Sequence, residues 1–270
     1  SQRAAIEDPA LASSYQVRDV APHIVLLANL GAVQLNYGYG LDECRRAVEM
    51  IEADGLVLHL NPVQEYLQRE GNRDFRGLLP KIEAICRQLE VPVIVKEVGW
   101  GLSPQTVQAL FAAGVAAVDV AGAGGTSWAR VEQCRSGLEE TRRLALVFDS
   151  WGLPTAEAIR GARAVAGGAA TIIASGGIRD GLQAAKALAL GANLVGMALP
   201  LLRPATVSAE AVSQRLEQVL SELRLAAFAA GARNIEALRL SPIVPVSACA
   251  AEVTGRTDGG DLDPALRGRR

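Results

Sequence analysis

The chain has 270 residues, of which 50% are hydrophobic and 21% are charged, and its formal net charge at pH 7 is −2. This apolar fraction is sufficient for a large buried core and excludes a globally disordered chain. The near-neutral charge provides no basic field, so we expect neither nucleic acid nor a membrane as a partner.

Short apolar runs alternate with longer amphipathic segments along the chain. The runs are typical of strands that are buried on both faces, and the segments are typical of helices. In chain order we predict strand His23–Leu30, helix Leu41–Ala53, strand Gly55–Leu60, helix Gly77–Leu89, strand Val91–Val98, helix Pro104–Ala113, strand Val115–Ala121, helix Pro154–Val165, strand Ala170–Ser175, helix Asp180–Leu190 and strand Asn193–Leu199.

This alternation indicates parallel βαβ units, in either a doubly wound sheet or a closed barrel. No G-x-G-x-x-G follows the first strand, as a dinucleotide-binding sheet would require. Polar residues instead follow nearly every strand, which favours a (β/α)8 TIM barrel of the α/β class. We expect the barrel to occupy residues 1–240 and residues 241–270 to form a partly disordered C-terminal extension.

The cysteines and histidines narrow the chemistry. Cys44, Cys86, Cys134 and Cys249 are widely spaced, and the first three fall in stretches with helical character, so we expect reduced cysteines and a cytoplasmic protein. His23 and His59 are the only histidines, which excludes an H-E-x-x-H zinc site.

Two strand-to-helix loops have the composition of a phosphate site. Gly176–Arg179 opens a helix, and Gly196–Leu199 follows the next strand. Glycines allow close backbone approach, and loops after the last two strands of a barrel commonly bind phosphate. Tight βα turns are the simpler alternative.

Two other segments suggest ligand contacts. Lys96 ends a buried strand and should face the barrel mouth, unless it pairs with Glu97 or Asp119. The small-residue loop Ala121–Trp128 suits contact with a flat ring, although a flexible surface turn would have the same composition. In His59-Leu-Asn-Pro-Val-Gln-Glu65, a proline ends the strand and a carboxylate lies beside neutral amides, which suits Mg²⁺. Ordinary hydrogen bonding at the rim would explain the same residues.

Together these motifs resemble type 2 isopentenyl diphosphate isomerase. The resemblance covers the chain from Ser1 to about Asn234. It rests on His59–Glu65, Arg73–Gly77, Val95–Gly99, Val118–Trp128, Trp151–Thr155 and Ala174–Arg179.

The resemblance implies an FMN-dependent TIM barrel that interconverts isopentenyl and dimethylallyl diphosphate. It implies reduced FMN, NADPH as reductant, Mg²⁺, a small-molecule diphosphate substrate and a homo-oligomer, either a tetramer or an octamer. A reduced flavin could supply the acid–base position that no side chain obviously supplies.

Residue roles follow from the same resemblance. Gln64 matches the catalytic glutamine at the substrate and Glu65 the metal ligand. The other substrate contacts implied are Ser1, Gln2, Arg3, His59, Asn61 and Trp128. The flavin contacts implied are Ser1, Asn29, Lys96 and Thr126, with Gly177, Ile178, Arg179, Ala198 and Leu199 at the FMN phosphate.

The family's opening arginine–lysine segment and its Met-Thr-Gly-Gly strand end are absent from this sequence. We therefore expect the six strands to correspond to strands three to eight, with the first two missing. Two other functions are considered. Another FMN-dependent barrel oxidoreductase would need a late histidine or a loop cysteine, and an inactive flavin-binding barrel fragment would lack turnover.

Overall fold

The computed structural model describes residues 1–244. Six parallel strands form one sheet in which spatial order equals chain order. The strands are β1 (Leu27–Gly31), β2 (Gly55–His59), β3 (Val93–Lys96), β4 (Ala117–Asp119), β5 (Thr171–Ala174) and β6 (Leu194–Val195). All six predicted strands are confirmed, although each is shorter than its apolar run. Sequential order with intervening helices is the pattern of a (β/α)8 barrel wall, here an open arc.

Twelve α-helices occur within residues 1–244. They are α1 (Arg3–Glu7), α2 (Leu41–Met50), α3 (Pro62–Leu67), α4 (Leu78–Gln88), α5 (Pro104–Ala112), α6 (Trp128–Arg135), α7 (Glu139–Val147), α8 (Thr155–Ala166), α9 (Gly181–Ala189), α10 (Leu199–Ala205), α11 (Ala209–Ala229) and α12 (Ile235–Arg239). The five predicted helices correspond to α2, α4, α5, α8 and α9, with ends within three residues of the prediction.

The proline that follows the second strand ends it as predicted, whereas the predicted end of the sixth strand is wrong. Pro62 occupies the first turn of α3, where a backbone N–H would have no helical acceptor in any case. Gln64 and Glu65 are therefore helical residues. The sixth strand ends at Val195 rather than Leu199, because Leu199 begins α10.

Both faces of the sheet are covered, as the apolar runs predict. Leu56 and Leu58 belong to the main core, which the strands form with the surrounding helices. Val57, Ile94 and Ala117 point to the other face, where they pack with partly buried Ile173. This second face corresponds to the interior of a barrel.

The register then determines which polar residues share the interior face. Side chains alternate between faces along a strand. His59 therefore follows Val57, Lys96 follows Ile94 and Asp119 follows Ala117 on the inside. His59 pairs with Lys96 and Lys96 with Asp119 in register, so the three form a row at the carboxyl ends of β2, β3 and β4.

In the described residues β1 and β6 are the sheet edges. Interior-facing Leu27 on β1 is 39% exposed and Leu194 on β6 is 55% exposed. Gln2 covers part of the β1 edge. Its backbone N–H donates to Asn29 O (2.8 Å), and its side-chain Oε1 accepts from Asn29 N (2.8 Å).

α12 packs on the barrel helices, because Leu238 is buried against Ala185 and Leu188 of α9. Most of the predicted extension, residues 245–270, lies outside the described residues, as does Cys249. Cys44, Cys86 and Cys134 lie on α2, α4 and α6 and are free thiols. Within residues 1–244, none of the helices combines the length and the hydropathy needed to cross a bilayer.

Candidate functional site

A cavity of about 380 Å³ opens at the carboxyl ends of β3 to β6, a size typical of small-molecule sites. Four loops and the strand ends before them line it. The lining residues are Lys96, Val98, Gly99, Asp119, Ala121, Gly122, Gly125, Thr126, Trp128, Ser175, Gly176, Gly177, Ile178, Arg179, Gly196, Met197, Ala198, Leu199 and Pro200.

Glycines allow the loops after β4 and β5 to lie against each other. A Cβ on Gly177 would collide with the carbonyl group of Gly124, and the Gly177 backbone has φ +85°. A Cβ on Gly125 would lie 2.7 Å from Gly177 N. The Arg179 guanidinium joins the same loops by donating to the carbonyl oxygens of Gly124 and Gly177, each at 3.1 Å. The loops form one packed cradle.

The cradle presents unused backbone donors. Within residues 1–244, the N–H groups of Gly177, Ile178 and Ala198 donate to no protein acceptor. The first turn of α9 is different, because the Asp180 side chain caps it through the N–H of Gln183 at 2.7 Å. An anion would therefore bind to the loop N–H groups rather than to the capped helix end.

Lys96 lies on the cavity wall without a protein counterion. Its Nζ donates to the carbonyl oxygen of Glu97 at 2.8 Å, and in the described part of the chain it forms no ion pair. The Glu97 carboxylate turns away and accepts from the N–H groups of Val98, Gly99 and Trp100. Burial lowers the pKa of Lys96, opposed by the more distant charges of Asp119 and Glu97.

His59 lies beside Lys96 in the interior row but does not line the cavity. Its Nδ1 lies 3.0 Å from Asn29 Oδ1. Burial, followed by the positive charge of Lys96, lowers the pKa of His59 to about 3. The imidazole is therefore neutral at physiological pH.

A second polar cluster joins α3 to α6. Gln64 Nε2 donates to Glu132 Oε1 at 3.1 Å, and Asn61 Nδ2 donates to Glu65 Oε1 at 3.0 Å. Glu65 Oε2 accepts from Asn72 N at 2.6 Å. Glu65 and Glu132 are both buried, and Asn61 Oδ1 is buried with no hydrogen-bond partner. Trp128 at the start of α6 lines the cavity, so α6 connects this cluster to it.

The structure thus divides the predicted site residues into three groups. Eight line the cavity, namely Lys96, Thr126, Trp128, Gly177, Ile178, Arg179, Ala198 and Leu199. Asn61, Gln64 and Glu65 form the second cluster with Glu132, which the sequence reasoning did not identify. The third group, Ser1, Gln2, Arg3, Asn29 and His59, lies along β1 and the end of β2.

The opening residues are already engaged by the protein itself. Gln2 is 3% exposed, and its Nε2 donates to Ala47 O at 2.7 Å. The Arg3 guanidinium pairs with Glu7 at 2.8 Å. The Ser1 carbonyl oxygen accepts from the Tyr15 hydroxyl at 3.0 Å. Their proposed contacts with substrate and flavin stay predictions.

A parallel barrel arc with a glycine-lined, anion-accepting cavity at the strand carboxyl ends defines the class of cofactor- and phosphate-binding TIM barrels. The profile of the family described as FMN-dependent dehydrogenase matches residues 52–244, most of this chain. A mandelate oxidase variant has the same fold, with a TM-score of 0.59 and 21% identity over 84% of this chain and 66% of the oxidase. A lactate oxidase from Pediococcus acidilactici gives a TM-score of 0.56 and 18% identity, covering 80% of this chain and 60% of its own.

Sequence relatives give a narrower family. An isopentenyl-diphosphate delta-isomerase of Nostoc sp. (strain PCC 7120 / SAG 25.82 / UTEX 2576) is 51% identical over 241 residues, which cover 89% of this chain and 69% of the relative. Its counterpart in Stutzerimonas stutzeri (strain A1501) is 50% identical over 252 residues, covering 92% of this chain and 72% of the relative. The chain belongs to the isopentenyl-diphosphate delta-isomerases within the FMN-dependent dehydrogenase family.

The cavity fits the cofactor that the family description names. FMN has an anionic phosphate, a flat ring and a connecting chain. The free N–H groups of Gly177, Ile178 and Ala198 suit the phosphate, and unpaired Lys96 suits an electron-rich ring.

Proposed function

We propose that this chain carries the flavin site and the isomerisation residues of an isopentenyl-diphosphate delta-isomerase. The reaction interconverts isopentenyl and dimethylallyl diphosphate by adding a proton at one carbon and removing one at another. The matched region spans 69% to 72% of the length of the two relatives described above.

The observation that carries the proposal is that, among residues 1–244, neither a histidine nor a cysteine lines the cavity. An oxidoreductase of the hydroxy-acid type would need a histidine base there, yet both histidines precede β3. An inosinate-dehydrogenase-like enzyme would need a nucleophilic cysteine in a loop, whereas Cys134 lies on α6. An isomerase needs neither group.

Reduced FMN, when bound, supplies an acid–base position at the ring. The protein's own contribution is placement and charge. Lys96, a half-buried cation that forms no ion pair within residues 1–244, would favour an anionic reduced ring. Gly177, Ile178, Arg179, Ala198 and Leu199 would hold the phosphate, while Thr126 would contact the ring.

Gln64 is proposed to orient the substrate. An amide does not titrate near neutral pH, so its role is positional rather than that of an acid or base. The Gln64 amide is held at both ends, since Nε2 donates to buried Glu132 and Oε1 accepts from Asn61 Nδ2 at 3.3 Å, and this fixes the orientation of the amide. Trp128, on the same helix as Glu132, would cover the prenyl chain, and neutral His59 with Asn61 would line the diphosphate pocket.

Glu65 is proposed as the Mg²⁺ ligand. Magnesium is often held by one or two carboxylates together with substrate phosphates and water. Within residues 1–244 no group of three or more histidine, cysteine, aspartate or glutamate side chains could hold a metal, so the remaining ligands would come from the diphosphate and water. The unpartnered Asn61 Oδ1 beside Glu65 supports a cation at this position.

Three finer features complete the proposal. NADPH is the proposed reductant of the flavin. A cytoplasmic location is supported by the free thiols of Cys44, Cys86 and Cys134. A homo-oligomer, tetramer or octamer, is supported by exposed apolar side chains on α11, where Leu225 is 67% and Phe228 is 82% exposed.

The test is turnover of isopentenyl diphosphate by the purified chain with FMN, NADPH and Mg²⁺, followed by NMR in deuterated water. We expect dimethylallyl diphosphate that carries solvent deuterium, with no product when the flavin is oxidised. Protein that binds reduced FMN but forms no product, or that oxidises a hydroxy acid instead, would contradict the proposal.

A further inference from the structure

In the part of the chain that the structure describes, Asp119 is the only carboxylate that lines the cavity. It ends β4, and its Oδ1 accepts from the Ser175 hydroxyl at 2.7 Å and from Ala121 N at 3.1 Å. Its Oδ2 lies on the side of Gly196, 4.0 Å from where a Cβ on that residue would be. The roles proposed above for other residues leave Asp119 unused.

Burial raises the pKa of Asp119, and the Ser175 hydroxyl, the positive charge of Lys96 and the N–H groups of Ala121 and Ser175 oppose this only in part. Both protein donors reach Oδ1, so within residues 1–244 the lone pairs of Oδ2 are left for a donor in the cavity. A group that only accepts hydrogen bonds, such as a phosphate, would be repelled there.

Asp119 lies between the two ends of the cavity. On one side is Lys96, its partner in register on β3 and the residue assigned to the flavin ring. On the other side are Ser175 and Gly196, where a Cβ on Gly196 would lie 3.0 Å from Ser175 Cβ, followed by the loops assigned to the phosphate. A ligand with its ring at Lys96 and its phosphate at Gly177 must pass its connecting chain over Asp119.

We propose that Asp119, held in place by Ser175, accepts hydrogen bonds from the hydroxyl groups of the flavin's polyol chain. This inference rests on FMN occupying the cavity as described under the proposed function. Hydroxyl groups are donors of the kind that a carboxylate binds strongly, and they are the donors nearest the middle of the ligand. Asp119 then selects a flavin whose connecting chain is hydroxylated.

The experiment compares two ligands on the full chain after its flavin has been removed. The probes are FMN and a synthetic flavin phosphate whose connecting chain is a plain pentyl group, each titrated by flavin fluorescence. We expect Asp119→Ala to bind FMN about 10- to 100-fold more weakly than the unmodified chain. The pentyl flavin should bind Asp119→Ala at least as tightly as the unmodified chain, because it has no hydroxyl to lose and its alkyl chain leaves the carboxylate without a donor.

Ser175→Ala provides a milder variant that removes one hydroxyl and keeps the carboxylate. It should lower the affinity for FMN by about 3- to 10-fold and leave that for the pentyl flavin unchanged. Should Asp119→Ala fail to fold, as judged by circular dichroism without flavin, this variant and Asp119→Asn carry the test.

Loss of affinity for both ligands by the same factor would assign Asp119 a structural role and overturn the inference. Equal affinity for FMN in all proteins would overturn it too. If the unmodified chain bound neither ligand, the flavin placement itself would be wrong and both proposals would fail. If the unmodified chain bound FMN but bound the pentyl flavin with the same affinity, only the role of Asp119 would be refuted and the flavin placement would stand.

Discussion

Replacing Gly177 by valine tests the cofactor cradle at its tightest point. The backbone there has φ +85°, and a β-branched residue in the left-handed region costs about 1–2 kcal/mol. The new Cβ would also collide with the carbonyl group of Gly124 and lie 2.9 Å from Gly125 N. Overpacking of this kind adds about 1–3 kcal/mol. The total of about 2–5 kcal/mol is below the stability of most domains, so the variant should fold with a displaced loop.

Gly167→Val is the matched control. Gly167 has φ +70° and no atom within 4 Å of an added Cβ, so valine there introduces the backbone strain without the collision. We expect both variants to lose stability in urea but only Gly177→Val to lose FMN. If about 2 kcal/mol of the collision energy has to be overcome when FMN binds, the affinity for FMN falls about 30-fold, which equilibrium dialysis measures. Unchanged FMN affinity in Gly177→Val would refute the placement of the phosphate.

Three further predictions concern the second cluster and the interior row. Gln64→Ala should retain FMN, because Gln64 does not line the flavin cavity. It should slow isomerisation by at least about tenfold, because Gln64 is assigned to positioning the substrate, and normal turnover would contradict that role. Glu65→Ala should raise the Mg²⁺ concentration for half-maximal rate, and an unshifted titration would remove Glu65 as the metal ligand. Because the folded-state pKa of His59 is lowered to about 3, the unfolded chain alone takes up its proton as pH falls below about 6.5. Urea unfolding should therefore show a loss of about 2 kcal/mol of stability between pH 7.5 and 5 that is absent in His59→Gln. An equal loss of stability in the two proteins would refute this.

The strands could be predicted because burial on both faces requires continuous apolar sequence. The same reasoning predicts which residues face inward, and the parallel register then aligns Lys96 with its neighbours on β2 and β4. Strand length could not be predicted, because it depends on where the neighbouring chain turns away. Val195 ends β6 although the apolar run continues to Leu199.

Helices between the βα units were missed for different reasons. α3 begins at a proline that resembles a strand terminator, yet proline is favoured in the first turn of a helix. The 21-residue α11 is rich in good helix formers and begins at Ser208, whose hydroxyl accepts from Ala211 N at 3.1 Å. Its composition and its N-cap signal were both readable in the sequence.

Glu132 could not be found from sequence spacing. Its partner Gln64 is 68 positions away, and the two meet only because α6 packs on α3. Gln2 is a similar case, because it bonds to Asn29 only where the first residues of the chain run along the edge strand β1. Long-range side-chain pairing of this kind depends on tertiary packing rather than on local pattern.

The electrostatics of the cavity follow from how the two nearest carboxylates are used. Glu97 follows Lys96 directly and Asp119 is its partner in register, so either could have neutralised it. Instead Glu97 accepts three backbone N–H groups and Asp119 accepts from Ser175 and Ala121. Neither carboxylate forms an ion pair with Lys96, which therefore remains a half-buried cation that an anionic ligand stabilises. Any ligand that binds only the folded state also stabilises the fold, so flavin binding and stability are coupled through Lys96.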